Sequence, residues 1–294
     1  MISAAHSPSL RMSRKPPKKA LLHRGWVPAV LGALVACSVL LCGCAKPPRE
    51  AAAPTGAGVE RVWITLTAPS APQARGFLFK SSLNSITPQG VNRLTFDLWG
   101  NFEYPVRLDV RAGIGATIAL WREGATGWLA YYPGQNVTYL GAADHLAEPD
   151  IQRLPLSLRE LALLLSGRIG AVLPAGYSDW TLGEQGGIRY LFNQGERLSE
   201  LALDSSLRPL MLTGSHPEPW SLSFDSWDDA YDPIRPVKMT LRFQKDSRHI
   251  LRVKQAEFRD REWDRDALSL TPPEDSRVID IEALPGTDFF LAPS

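Results

Sequence analysis

From about residue 76 to residue 258 the chain alternates apolar and polar residues with a period of two. Leu94, Phe96 and Leu98 alternate with Arg93, Thr95, Asp97 and Trp99, and Val106, Leu108 and Val110 alternate with Arg107, Asp109 and Arg111. Ile118, Leu120 and the runs 127–132 and 135–140 continue the habit. The joints are turn-like: Gly100-Asn101, Gly113–Gly115, Glu123-Gly124 and Pro133-Gly134. Successive side chains of a strand point to opposite faces, so this pattern predicts an antiparallel meander with one apolar face. A second block repeats it over 187–192, 198–204, 208–213, 220–225, 236–244 and 249–258. In the fifth of these, Val237, Met239, Leu241 and Phe243 alternate with Lys238, Thr240, Arg242 and Gln244. Strands so many and so evenly spaced imply a barrel or a strongly curved sheet.

One segment breaks the rhythm. Residues 157–166 carry Leu158, Leu161, Ala162 and Leu165 at helical spacing. Ser157 and Glu160 form a capping box, Leu156 is placed to staple onto Leu161, and Gly167 suits the C-terminal stop. A second, shorter helix is expected within 142–153. Both fall between the strand blocks, where they can cover an open sheet mouth.

The N-terminus is of another kind. Six basic residues (Arg11, Arg14, Lys15, Lys18, Lys19, Arg24) precede an apolar run from Val27 to Leu41, and Leu41-Cys42-Gly43-Cys44 follows. Positive, apolar, small is the order of an export signal. The run of 15 residues includes Pro28 and falls short of the ~20 that a spanning helix needs. The Leu-x-Gly-Cys ending resembles the bacterial lipobox, which implies cleavage before Cys44 and lipidation of its thiol. Two or more acyl chains make a stable anchor. Residues 1–43 are then the signal peptide. Residues 44–75 are the lipidated cysteine and an Ala/Pro/Gly tether, 76–258 the β-domain with its lid near 142–167, and 259–294 a charged, Pro-rich C-terminal extension.

Composition narrows the function. Without the signal 251 residues remain, with 26 Lys/Arg and 31 Asp/Glu, a net charge of −5. That balance argues against a nucleic-acid partner and against electrostatic binding to anionic lipid. The three cysteines, Cys37, Cys42 and Cys44, all lie in the signal or at its end, so the domain is expected to hold no disulfide or Cys-ligated metal. No G-x-S-x-G, H-E-x-x-H, P-loop or G-x-G-x-x-G is present. His145, His216 and His249 stand singly and read as surface or strand-edge residues. Asp225, Asp228, Asp229 and Asp232 are closely spaced, but they lack the calcium-loop pattern and read as a solvated loop. The Trp residues read as core or cavity lining rather than sugar platforms. The chain is expected to be non-enzymatic, without cofactor or metal, and monomeric. What remains is a shape: a half-open barrel with one apolar face and a Leu-rich lid, able to leave an apolar cavity for acyl chains.

Several short motifs occur in one order over residues 74–258: Phe96-Asp97-Leu98-Trp99, the hairpin Val106 to Thr117, Leu154-Pro155-Leu156 leading into the helix 157–166, and Trp220 to Phe224 continuing through Tyr231 into Pro236–Leu241. In these the chain resembles the LolB family of outer-membrane lipoprotein receptors, within the LolA/LolB-like fold. The resemblance implies a mainly β, half-open antiparallel barrel of about eleven strands under a helical lid. It implies a receptor that takes lipoproteins from a LolA-type soluble periplasmic carrier and inserts them into the outer membrane. Gly113, Ile114 and Gly115 stand where the family has its membrane-insertion loop. Exposing Ile at a hairpin tip forfeits about 1.5–3 kcal/mol relative to burial, which fits a tip that meets a bilayer or partner. Residues expected to line the cavity or lid are Leu94, Phe96, Leu98, Leu108, Val110, Leu158, Leu161, Leu165, Leu222, Phe224, Met239 and Leu241. Ala45 after the lipidated cysteine leans toward the outer membrane, with the domain facing the periplasm. Two rival readings keep the fold: a lipoprotein carrying glycolipid or another amphiphile, and a structural envelope lipoprotein with a filled core.

Overall fold

A computed structural model describes residues 55–68, 74–113, 115–142, 155–183, 186–215, 218–231, 233–243 and 247–281. Cys44, Ile114, the expected helix within 142–153, and residues 282–294 lie outside the described residues. Fourteen strands form a single sheet: β1 (Gly76–Thr87), β2 (Gly90–Asn101), β3 (Val106–Ala112), β4 (Thr117–Glu123), β5 (Gly127–Tyr132), β6 (Val137–Ala142), β7 (Asp179–Leu182), β8 (Ile188–Leu191), β9 (Leu198–Leu203), β10 (Pro209–Gly214), β11 (Trp220–Asp228), β12 (Arg235–Phe243), β13 (Arg248–Arg259) and β14 (Arg277–Asp280). Their order is β14-β6-β5-β4-β3-β2-β1-β13-β12-β11-β10-β9-β8-β7, so two meanders are joined along a seam where β1 pairs antiparallel with β13. All neighbours are antiparallel except β14 on β6. The fold class is the one the alternation predicts: mainly β, one open curled sheet with helices against its inner face. It has more strands than the eleven implied by resemblance, and the two ends of the sheet carry the short strands β7, β8 and β14, of four residues each.

The inner face is apolar because the pleat sends Phe79, Phe96, Leu98, Leu108, Met239 and Leu241 inward, all of them buried. Register slips between Lys80 and Ser81 opposite β13, where one extra residue is accommodated, and again on β11 against β12. Such bulges sharpen twist and help the sheet curl.

Two helices fill the curve. Helix α1 (Gly56–Thr67) overturns part of the expected tether, which was drawn through residue 75. Thr55 caps it, accepting from the Gly58 amide at 3.4 Å. Val59 and Trp63, at helical spacing, are buried, and Val62 and Leu66 pack beside them. The Ala/Gly-rich flank at 51–58 hid this stripe. Helix α2 (Leu158–Leu165) follows its signals closely. Its capping box is formed, with the Glu160 amide donating to Ser157 Oγ at 3.0 Å and the Ser157 amide to Glu160 Oε2 at 2.8 Å. At the other end the Arg168 amide donates to Leu163 O and the Gly167 amide to Leu164 O, a Schellman stop with Gly167 at φ +82°. A 3₁₀ turn, Ile169–Val172, follows and meets the end of α1. A Cβ on Gly170 would lie 2.0 Å from Leu66 O, so only glycine admits this approach.

The C-terminal region is not a loose extension as far as residue 281. Leu268 is fully buried. Arg122 Nε donates to Leu268 O at 3.1 Å, Arg107 donates to Ser269 O, and the Trp263 indole donates to Phe77 O at 3.1 Å. Asn136 and Thr138 hold Asp275 and Ser276, and β14 then pairs with β6. Arg107 and Arg122 face away from the core, so the segment straps the outer side of the first meander.

Candidate functional site

Between α2 and the inner face lies a cavity of about 230 Å³. The first meander lines it with Leu83 of β1, Leu94 and Phe96 of β2, Leu108 and Val110 of β3, and Ile118, Ala119 and Trp121 of β4. The second adds Leu222 of β11, Met239, Leu241 and Phe243 of β12, and His249 and Leu251 of β13. Pro155, Leu156 and Leu161 cover it from the helix side. A cavity of about 150 Å³ lined by Leu, Ile and Phe stays dry and accepts an apolar guest. This one is larger and lined the same way, so its chemistry suits hydrocarbon.

Eight of the twelve candidate residues come together here: Leu94, Phe96, Leu108, Val110, Leu161, Leu222, Met239 and Leu241. The other four, Leu98, Leu158, Leu165 and Phe224, are buried in the packed core outside the cavity lining. Nine lining residues stand outside the candidates, among them Leu83, Leu251 and His249. Their strands carry Ser81, Ser85 and Arg252 among apolar residues, which blurs the alternation. Contrary to a surface or strand-edge place, His249 is buried on the cavity wall, its ring edge-on to Phe243 at 5.8 Å. Burial holds its imidazole below the usual range, so it stands neutral at neutral pH and does not spoil an apolar wall.

The lid is held by polar contacts at its N-terminus. Buried Glu123, at the end of β4, accepts from the Leu158 amide at 2.5 Å and the Arg159 amide at 3.4 Å. Arg159 donates to Phe102 O at 2.6 Å, and Arg197 clamps Glu160 with a second bond to Pro155 O at 3.2 Å. Burial pushes the Glu123 carboxyl above its ordinary value, although the two amides oppose this. Because the folded state then binds the proton more tightly than the unfolded chain, Glu123 disfavours the fold increasingly as pH rises from the ordinary carboxylate value through its raised one. The wild-type chain is therefore expected to gain stability relative to Glu123→Gln as pH falls from neutral through that window. Denaturant midpoints of both proteins across pH check this, and a fall in wild-type stability relative to Glu123→Gln on acidification contradicts it.

The loop between β3 and β4 borders the cavity, since Val110 before it and Ile118 after it are both in the lining. Gly115 has φ +91°, and a Cβ on it would meet nothing within 4 Å; one on Gly113 would meet only Arg93 O, at 3.5 Å. The acidic residues at 225–232 do not converge. Asp225 pairs with Lys238 at 3.0 Å, Asp228 with Arg235 at 2.8 Å, and Asp229 with Arg208 at 3.3 Å, while Asp232 lies outside the described residues. Among the described residues no cluster of His, Cys, Asp or Glu suits a metal ion, and no helix is long and apolar enough to cross a membrane.

An open, curled antiparallel sheet with a helix over a hydrocarbon-lined interior defines a mainly β cavity protein. No family model matches the chain, and no curated protein matches it. Solved structures to which it is similar include a putative outer membrane lipoprotein-sorting protein domain from Vibrio parahaemolyticus, with 11% identity, a TM-score of 0.47, and 70% of this chain and 94% of that one covered. A LolA superfamily protein from Nitrosomonas europaea is similar at 8% identity and a TM-score of 0.47, over 72% of this chain and 97% of that one. A DUF1329 family protein from Desulfovibrio piger is similar at 11% identity and a TM-score of 0.48, over 74% and 99%.

Proposed function

We propose that this chain is a lipid-anchored envelope protein that holds the acyl chains of lipoproteins in the cavity under α2 and passes them to the outer membrane. The observation that carries this reading is the hydrocarbon lining of that cavity, with Leu161 of the lid over Leu108, Leu222 and Met239 of the sheet. Transfer between apolar sites needs no covalent step, so the reading asks for no nucleophile, cofactor or metal. Cys44 supplies the anchor and the segment following it the reach. A LolA-type periplasmic carrier is the expected donor. Gly113, Ile114 and Gly115 form the loop that meets the bilayer, and its place between two strands of the cavity wall supports a path from cavity to membrane.

Native mass spectrometry of the protein extracted from envelopes tests the cargo. A mass increment of a triacylated protein chain is expected. Increments of free phospholipid or glycolipid favour the amphiphile-carrier reading, and an empty protein in every charge state contradicts both.

A further inference from the structure

The outer wall of the cavity carries charge that the composition hides. Residues 238, 240 and 242 of β12, 248, 250 and 252 of β13, 82, 84 and 86 of β1, and 91, 93 and 95 of β2 share one face by register. It is the face opposite Leu83, Leu94, Met239, Leu241 and Leu251, which line the cavity. Near the ends of these strands it presents four arginines. Arg242 and Arg248 sit directly across β12 and β13. Arg252 lies four residues along β13, and Arg93 sits on β2 opposite Asn84, itself opposite Ile250. Strands are about 4.8 Å apart and rise about 3.3 Å per residue, so the four fit within a patch roughly 15 Å across. Arg93, Arg242 and Arg248 are exposed, and Arg252 is half-buried.

Neighbouring cations on the sheet have carboxylates: Arg111 has Asp97 at 2.9 Å, and Lys238 has Asp225 at 3.0 Å. Among the described residues, Arg93, Arg242, Arg248 and Arg252 have none. Like charges directly opposite on paired strands repel, so the Arg242–Arg248 pair is a cost the fold does not need. Beside it, at the tip of the β1–β2 hairpin, Val91 is 72% exposed and pairs with Ile86, which in turn lies opposite Arg248.

We infer that this Arg-rich face and the Val91 hairpin tip seat against a bilayer surface carrying anionic lipid headgroups. Charge complementarity chooses the occupant: guanidinium groups fork onto phosphate oxygens, and an exposed aliphatic tip gains by entering the interface. The hairpins β1–β2, β3–β4 and β12–β13 turn at the same end of the sheet, so seating there brings the loop between β3 and β4, whose flanking residues line the cavity, toward the lipid. The anchor thus fixes distance and this face fixes orientation. The inference holds whatever the cavity carries.

The test is hydrogen exchange of the purified protein on vesicles of phosphatidylcholine alone and of equal parts phosphatidylcholine and phosphatidylglycerol. Slowed exchange at 86–93 and 242–252 is expected only with the anionic vesicles, lost at high salt and in Arg242→Glu/Arg248→Glu. If bilayer contact is worth about 1 kcal/mol for each basic residue near the surface, neutralising two as Arg242→Gln/Arg248→Gln lowers occupancy of the seated state roughly 30-fold. Unchanged melting of both variants shows that the fold is intact. Exchange that is equal on the two vesicles, protection that persists in the charge-reversed variant, or protection that falls elsewhere overturns the inference.

Discussion

Trp63→Ala is expected to destabilise the domain by about 3–5 kcal/mol, the cost of removing a large aromatic side chain from a packed core. Trp63 is only 4% exposed, and its ring meets Tyr177, Tyr190 and Phe192 at centroid distances of 5.2, 5.0 and 6.0 Å. The Tyr190 hydroxyl, pushed up to about 12 mainly by burial, donates to Val59 O at 2.8 Å and pins the same helix. Ile64, one residue on and 58% exposed, provides the control, since a surface change of this kind is expected to stay within about 0.5 kcal/mol. Chemical denaturation measures both. A Trp63→Ala loss no larger than that of Ile64→Ala would mean that residues 56–67 behave as the tether their composition first suggests.

Ala119→Trp is expected to abolish cargo binding while keeping the fold. Ala119 is 2% exposed and stands in the cavity wall, so an indole there grows into the void rather than into packed atoms. If it excludes even three methylenes of an acyl chain, at about 0.8 kcal/mol each, affinity falls roughly 50-fold. Titration with a fluorescent acyl ligand reads the loss, and melting reads the fold. Ile114→Glu is expected to do the converse, binding the ligand normally but failing to deliver it to vesicles. If Ala119→Trp binds as well as the parent chain, cargo does not occupy this cavity.

The two predictions turn on regions of unequal legibility. The strands of both blocks and the helix 157–166 could be read because each carries a local signal: a two-residue period, a capping box, a glycine stop. The strap of residues 260–276 could not, since its order depends on long-range contacts such as those of Arg107, Arg122 and Asn136 with the backbone of residues 268–275. Helix α1 was legible in principle, with Val59, Val62, Trp63 and Leu66 at helical spacing behind a Thr cap, but glycines at 56 and 58 masked its start. Within the cavity, alternation identified the inward residues of β2, β3 and β12. It could not tell which inward residues face a void and which face other side chains. Leu98 of β2 and Leu108 of β3 are cross-strand partners on one sheet face, yet only Leu108 lines the cavity. His249 was misread for a related reason: a neutral imidazole and a charged one look alike in sequence, and burial decides between them. Net charge is coarse in the same way, because a sum over 251 residues says nothing about four arginines on one face.

The seam between β1 and β13 has a consequence for the order in which the domain can form. Its partners, Gly76 with Arg259 and Ile86 with Arg248, are separated by most of the domain's length. Pairings this distant form late, because the loop they close must first be ordered. A chain that emerges N-terminus first from synthesis therefore cannot complete its central sheet, or the pocket that straddles it, until β13 has emerged. Until then it has no completed pocket in which to hold an apolar guest.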